Sequence, residues 1–254
     1  MANTVRGAIS ALRTPPHTRR DFAGNPTVHN ELLTALPRQD WQQMIAKCER
    51  IHLTAGVSLY ESGAPTRFVY FPTGCFASLL VSTDRASGIE VALIGAEGML
   101  GMWCMLDVST SPFTALVQGT GSAWRMEVEE FRRQIQALPA LSSRLALYRH
   151  VRTLDLAQMV ACARFHLLEP RLARSLLMMS DRAHGNQFDM TQMLVSHMLG
   201  VRRSGVTVAA KSLQERGLIS YDRGRMMIRE RRGLERAACS CYARARESYE
   251  RYLG

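Results

Sequence analysis

Two adjacent arginines, Arg202 and Arg203, open a short segment that also carries Ser204, Thr207 and Lys211. A guanidinium is a planar fork of donors that can bond guanine O6 and N7 together, and an ammonium is a point charge suited to phosphate. On a helix, Arg203, Ser204, Thr207 and Lys211 fall largely on one face, while Val206, Ala210 and Leu213 recur on another. The major groove of duplex DNA admits such a helix and meets its first turn with base edges. Arg203 is therefore the expected base reader, the plainer alternative being a phosphate contact or a solvated arginine. Arg202, Ser204, Thr207 and Lys211 are expected phosphate or secondary base contacts. Gly205 lowers helix propensity, and Val208 and Ala209 leave the middle of the helix short of polar readers.

The neighbouring elements must position this helix. Leu167–Asp181 reads as a helix with Leu172, Leu176 and Met179 inward, followed by a turn at residues 184–187. Thr191 can cap a helix running to Leu199, because its hydroxyl can accept from a first-turn N–H. Gly200 closes that helix with a permissive backbone. Thr191 and Gln192 thus stand where free N–H groups could meet a phosphate. The arginine helix ends near Arg216-Gly217, and Leu218–Tyr221, a turn at Asp222–Gly224, and Met226–Arg229 form a hairpin. Arg223 and Arg225 on that hairpin have the charge for backbone contacts. Residues 233–252 read as one final helix. Helix, glycine turn, second helix and hairpin is the order of a winged helix-turn-helix.

Upstream the periodicity differs. Residues 29–50 read as helical, with Leu32, Leu33, Leu36, Trp41, Met44 and Ile45 apolar. From residue 51, β-forming runs alternate with glycine turns: Ile51–Leu53, Val57–Tyr60, Phe68–Phe71, Cys75–Val81, Glu90–Ile94, Thr114–Gln118 and Ser122–Met126. Many short strands at regular spacing indicate an all-β barrel or jelly roll. Glu129–Leu138 reads as a helix that Pro139 interrupts, and Ala140 to about Arg164 reads as a longer one. Its apolar residues form two stripes: Leu147, Val151, Leu154 and Ala161, and Leu145, Tyr148, Leu156, Met159 and Ala163. Both stripes need cover. The barrel can supply one and an identical two-fold-related helix the other; burial of both within one chain is the alternative.

The formal net charge is +10, unevenly spread. Residues 164–254 hold 17 Lys and Arg against 9 Asp and Glu, whereas residues 26–163 hold 11 against 12. A basic end behind a neutral middle suggests a polyanion partner, the alternative being a solvated basic surface. Residues 1–27, Arg-bearing and acid-poor, read as a disordered basic tail. The sequence has no apolar run long enough to span a membrane and no secretory signal core, so a cytoplasmic protein without a membrane partner is expected. The six cysteines, Cys48, Cys75, Cys104, Cys162, Cys239 and Cys241, form no Cys-x-x-Cys pair and no zinc-finger spacing with histidine. They read as scattered reduced thiols, and no metal ligand is assigned. Enzyme chemistry finds no footing. Residues 51–127 hold one histidine, His52, too few for a multi-histidine metal site in the barrel. Neither a Gly-x-Ser-x-Gly elbow nor a phosphate-binding Gly-Lys loop occurs.

The chain resembles the Crp/Fnr family of bacterial transcription regulators. The resemblance rests on Met190-Thr191-Gln192, on Met198-Leu199-Gly200-Val201-Arg202-Arg203-Ser204 with Val206, and on Leu213-Gln214-Glu215-Arg216-Gly217-Leu218-Ile219. Val69-Tyr70-Phe71-Pro72 and the run from Val91 to Gly101 support it in the first half, and it covers about residues 28–254 in order. It implies an α+β chain: an N-terminal β-roll (jelly-roll, cyclic-nucleotide-binding-like) over 28–138, a dimerisation helix over 139–165, and a winged helix-turn-helix DNA-binding domain with a C-terminal helix over 166–254. It also implies a homodimer on double-stranded DNA, with RNA polymerase as partner if the protein activates. Arg203 matches the family position of a base-reading arginine.

Two cofactors found among such regulators do not fit the residues. A cyclic-nucleotide cassette needs an arginine to neutralise a buried cyclic phosphate, and no Lys or Arg occurs from Leu100 to Ala123. Cyclic AMP is not expected to bind in the usual manner; Arg85 and Arg125 are the nearest alternative cations. An iron–sulfur cluster held by N-terminal cysteines is not expected either, because the first 47 residues contain none. His52 and His166 read as structural or solvated. Met99, Met102, Trp103, Met105 and Phe113 read as core packing, an apolar pocket being the alternative. The competing reading is a signalling module with a degenerate ligand-binding β-roll that binds protein instead of DNA.

Overall fold

Pro37 divides the first helical segment into α1 (Glu31–Thr34) and α2 (Arg38–Ala46), because proline cannot donate to a preceding turn. The computed structural model describes residues 29–83, 86–183, 185–222 and 224–254. The basic tail expected over residues 1–27, Arg85 and the wing residue Arg223 lie outside the described residues.

The β-rich segment comprises β1 (Glu49–Leu53), β2 (Ser58–Tyr60), β3 (Phe68–Pro72), β4 (Phe76–Thr83), β5 (Ala86–Ile94), β6 (Thr114–Gly119) and β7 (Gly121–Glu127), with a 3-10 turn at Met102–Leu106. One sheet has the order β1-β7-β3 and the other β2-β6-β4-β5, all pairs antiparallel. Inward residues of both sheets, including Val69, Phe71, Met99, Leu100, Val117 and Met126, make one core. This is the jelly-roll layout expected from strand spacing. Trp103 is buried there, its indole N–H donating to Thr66 Oγ1 at 2.9 Å and its ring edge-on to Tyr60 and Phe113. The apolar run around it is therefore core packing.

Helix α3 (Val128–Ala137) ends before Pro139, which opens α4 (Pro139–Phe165). Leu141, Leu145 and Tyr148 bury against the roll, and Met99 N donates to Tyr148 Oη at 3.2 Å. The two stripes expected on α4 are not the faces the structure uses. Val151 is buried although its stripe mates Leu147 and Leu154 are 41% and 37% exposed, and Leu156 is exposed although its mates Leu145 and Tyr148 are buried. Over 27 residues a small error in helical phase moves a residue to another face, so a stripe drawn across the whole helix mixes two surfaces.

The C-terminal part runs α5 (Leu168–Ala183), β8 (Gln187–Asp189), α6 (Gln192–Leu199), α7 (Arg203–Glu215), β9 (Ile219–Asp222), β10 (Arg225–Ile228), α8 (Arg231–Ala237) and α9 (Cys241–Leu253). A sheet of order β8-β10-β9 carries the wing. The single helix expected over 233–252 is two helices, because Ala238 adopts extended backbone (φ −71, ψ 152) and breaks it. Helix α9 then folds back along α4: Leu253 joins the roll core, Arg144 donates to the Leu253 carbonyl, and His150 stacks edge-on to Tyr252. The α5 side chain Arg182 reaches the roll, donating to Leu93 O at 3.0 Å and pairing with Glu97 at 2.9 Å. Among the described residues no helix is long and apolar enough to cross a membrane.

Candidate nucleic-acid interface

Helices α6 and α7 are set by local chemistry at their ends. Thr191 Oγ1 accepts from Leu194 N at 3.1 Å, capping α6. Gly200 ends α6 in the left-handed region (φ 63, ψ 39), with its N–H on His197 O and the Leu199 carbonyl held by Arg171 at 2.7 Å. The chain then turns through Val201 and Arg202 into α7. Val206, Ala210 and Leu213 pack with Leu172, Leu176 and Met179 of α5, so the buried face of α7 is fixed by the domain core.

The opposite face is open. Arg202, Arg203, Ser204, Thr207 and Lys211 are all exposed. Gln192 links the two helices: its Oε1 lies 3.5 Å from Arg203 Nε and 3.0 Å from Thr207 Oγ1. Among the described residues Arg203 pairs with no carboxylate, whereas Lys211 lies 3.6 Å from Glu215 and Arg225 3.9 Å from Asp189, both pairs well exposed. Such pairs are weak and screened, and a phosphate can displace them.

Three details refine the sequence expectation. Two of the N–H groups at the start of α6 are not free: Gln192 N donates to Tyr221 Oη at 3.1 Å and Leu194 N to Thr191. Thr191 and Gln192 thus act first as cap and bridge. Ala209 is buried at 5% exposure and Val208 is 70% exposed, so Val208 alone of the two lies on the open surface. Gly205 has a packing reason, since a Cβ there would lie 3.0 Å from Leu168 Cδ2.

Residues 170–237 match the Crp-like helix-turn-helix domain family. The chain carries a Crp-like helix-turn-helix domain. Three quarters or more of the chain also shares its fold with solved Crp/Fnr regulators. A Crp/Fnr-family regulator from Eubacterium rectale aligns at 15% identity and TM-score 0.63, covering 81% of this chain and 96% of its own. The c-di-GMP responsive global regulator CLP of Xanthomonas campestris aligns at 15% identity and TM-score 0.62, covering 76% and 99%. FixK2 of Bradyrhizobium japonicum aligns at 13% identity and TM-score 0.64, covering 76% and 98%. At these identities the likeness is one of fold. No curated protein matches the sequence.

Behind the Crp-like domain, at its junction with α4, lies a group of side chains that spacing did not reveal. Cys162 and His166 at the end of α4 meet Cys239 and Cys241, which flank the break between α8 and α9. Cys162 and Cys239 place their sulfurs 3.6 Å apart, and Cys241 Sγ lies 3.4 Å from His166 Nδ1. All four donor atoms lie within 4.8 Å of one another. The expectation of scattered thiols is therefore corrected: Cys48, Cys75 and Cys104 stand apart from this group, and the other three converge. The Cys162 thiol hydrogen-bonds Cys239, which pulls the Cys239 thiol down and pushes its own up. His166, read as structural or solvated, is part of the group. The signal was present as two halves, Cys-x-x-x-His and Cys-x-Cys, with 72 residues between His166 and Cys239. Neither half is specific alone. Arg125, the described alternative cation for a phosphate in the roll, is committed to Glu49 at 2.5 Å and to the Phe68 ring.

Proposed function

We propose that the chain regulates transcription by binding two-fold-symmetric duplex DNA as a homodimer, with α7 in the major groove and Arg203 reading a base. The observation that carries this reading is the division of α7. Val206, Ala210 and Leu213 are at most 3% exposed, while Arg203, Ser204, Thr207 and Lys211 are exposed from the first turn onward. Arg202, Ser204, Thr207, Lys211 and Arg225 are the positioning contacts to phosphate in this reading, with Thr191 and Gln192 bracing the start of α6. The dimer is supported by α4, where Leu156, Val160 and Ala163 recur at i, i+4 and i+7 and remain exposed after both the roll and α9 have packed. An isologous contact between two such helices would set two recognition helices about one turn of DNA apart, roughly 34 Å.

The test is selection of bound genomic fragments followed by anisotropy titration on the enriched inverted repeat. A dimer neutralising roughly 6–10 phosphates should lose about 10³–10⁵ in affinity between 50 and 200 mM salt. A chain that ignores every duplex at low salt, or that binds one half-site as tightly as the repeat, contradicts the proposal.

A further inference from the structure

We infer that Cys162, His166, Cys239 and Cys241 form a zinc site, holding a single tetrahedral ion that clips the end of α4 to the α8–α9 junction. Zinc bound at about 2.3 Å to sulfur and about 2.0 Å to nitrogen separates its ligands by about 3.5–3.8 Å. The Cys162–Cys239 and Cys241–His166 separations of 3.6 and 3.4 Å are close to those edges. The whole set, within 4.8 Å, is compact enough to surround a single ion. An iron–sulfur cluster carries several metals and spreads its cysteine sulfurs wider than this.

The donor types agree with the geometry. Three thiolates and an imidazole make a Cys3His set, a closed structural arrangement for zinc. The three cysteines are nearly inaccessible, at 1%, 7% and 1% exposure, as a structural ion requires. On binding, each thiol releases its proton to solvent and His166 ligates through a neutral Nδ1, leaving a centre with one net negative charge. A counter-charge stands ready. Arg174 is 8% exposed, its Nε has no hydrogen-bond partner, and its field acts on both Cys162 and Cys239. Its Nη1 donates to Met178 Sδ at 3.3 Å and its field also acts on the Glu90 carboxyl, so it is the Nε side of the guanidinium that an anionic centre would complete. Outer support is also built: Gln158 Nε2 donates to Cys241 Sγ at 3.0 Å, and Cys239 N to Pro170 O at 3.3 Å.

This inference does not depend on α7 reading DNA, and its test can fail separately. Full-length protein purified in reductant without chelator is weighed by native mass spectrometry and assayed for metals. The expected result is a single zinc per chain, falling at least tenfold in the Cys162→Ser/Cys241→Ser double variant and unchanged in Cys48→Ser. Should the double variant fail to fold, cobalt(II) titration of metal-stripped wild type decides. Thiolate-to-cobalt charge-transfer bands with tetrahedral d–d absorption support the site, and their shift in His166→Gln assigns the nitrogen ligand. Metal-free protein that binds neither zinc nor cobalt, a Cys162–Cys239 disulfide recovered under reductant, or several irons with inorganic sulfide would overturn it.

Discussion

At the residue scale, Arg203 and Glu90 illustrate opposite uses of charge. Arg203 is exposed and bears no carboxylate partner among the described residues; its Nε lies against Gln192 Oε1 at 3.5 Å, which leaves the Nη fork to meet a base edge. Arg203→Ala should cost about 1–3 kcal/mol of binding and relax preference at one base pair; uniform weakening on all sequences would make it a phosphate contact. Glu90 on β5 is buried, with Ser78 Oγ donating to it at 2.5 Å. Burial raises its carboxyl to about 7, against the pull of the Ser78 hydroxyl and of Arg174, Arg152 and Arg182. The folded protein then keeps a proton that the unfolded chain releases near 4.5, so this group's stabilisation is full below pH 4.5 and is lost as pH rises to about 7. Glu90→Gln keeps the Ser78 contact. It should flatten the melting temperature between pH 5 and 7 and raise it above wild type at pH 8, as measured by calorimetry. An unchanged pH slope would show that Glu90 is ionised in the fold.

At the element scale, the turn between α6 and α7 and the open side of α4 can each be tested. Gly200 has φ 63, and a Cβ there would meet only Ile89 side-chain atoms at 3.7 Å or more. Backbone strain alone should therefore make Gly200→Ala cost about 1–2 kcal/mol. A thermal melt should fall by a few degrees without loss of DNA specificity, and a drop no larger than a surface substitution gives would refute the strain account. Leu156→Glu/Val160→Glu places two charges on residues now 46% and 67% exposed, so the single chain should fold unaltered by circular dichroism. Sedimentation should instead show a shift from dimer to monomer, with affinity for the inverted repeat reduced toward that for one half-site. These elements were largely legible in sequence: Thr191 and Gly200 announce both ends of α6, and each strand of the roll lies between turn residues. The face assignment on α4 was not, because the roll and α9 both compete for that helix and only packing decides between them.

At the scale of the whole molecule, the Crp-like domain is tied to the body by separate joints. Arg182 plugs into the roll at Leu93 and Glu97, α9 lies along α4, and the Cys/His group closes the junction at His166. If that junction holds zinc, stripping it with a strong chelator in reductant should expose the connection between α4 and α5. Limited proteolysis near residues 165–168 should then accelerate at least several-fold and slow again when zinc is restored. A cleavage rate indifferent to zinc would mean that the apolar contacts of Phe76, Ile89 and Leu93, with α9 and Arg182, hold the domain in place without the ion.

The amino-acid order alone determined most of the elements, their sequence along the chain, the basic character of the C-terminal part and the position of the arginine helix. These depend on neighbours within a few residues, where periodicity, capping and turn preference act directly. Tertiary structure alone decided which side of α4 stays open, that the final helix breaks at Ala238, and that Cys162 and Cys239, 77 residues apart, meet in one group. No local pattern encodes those outcomes. They follow from how helices pack, and a ligand set split into Cys-x-x-x-His and Cys-x-Cys gains chemical meaning only when folding brings the halves within bonding distance.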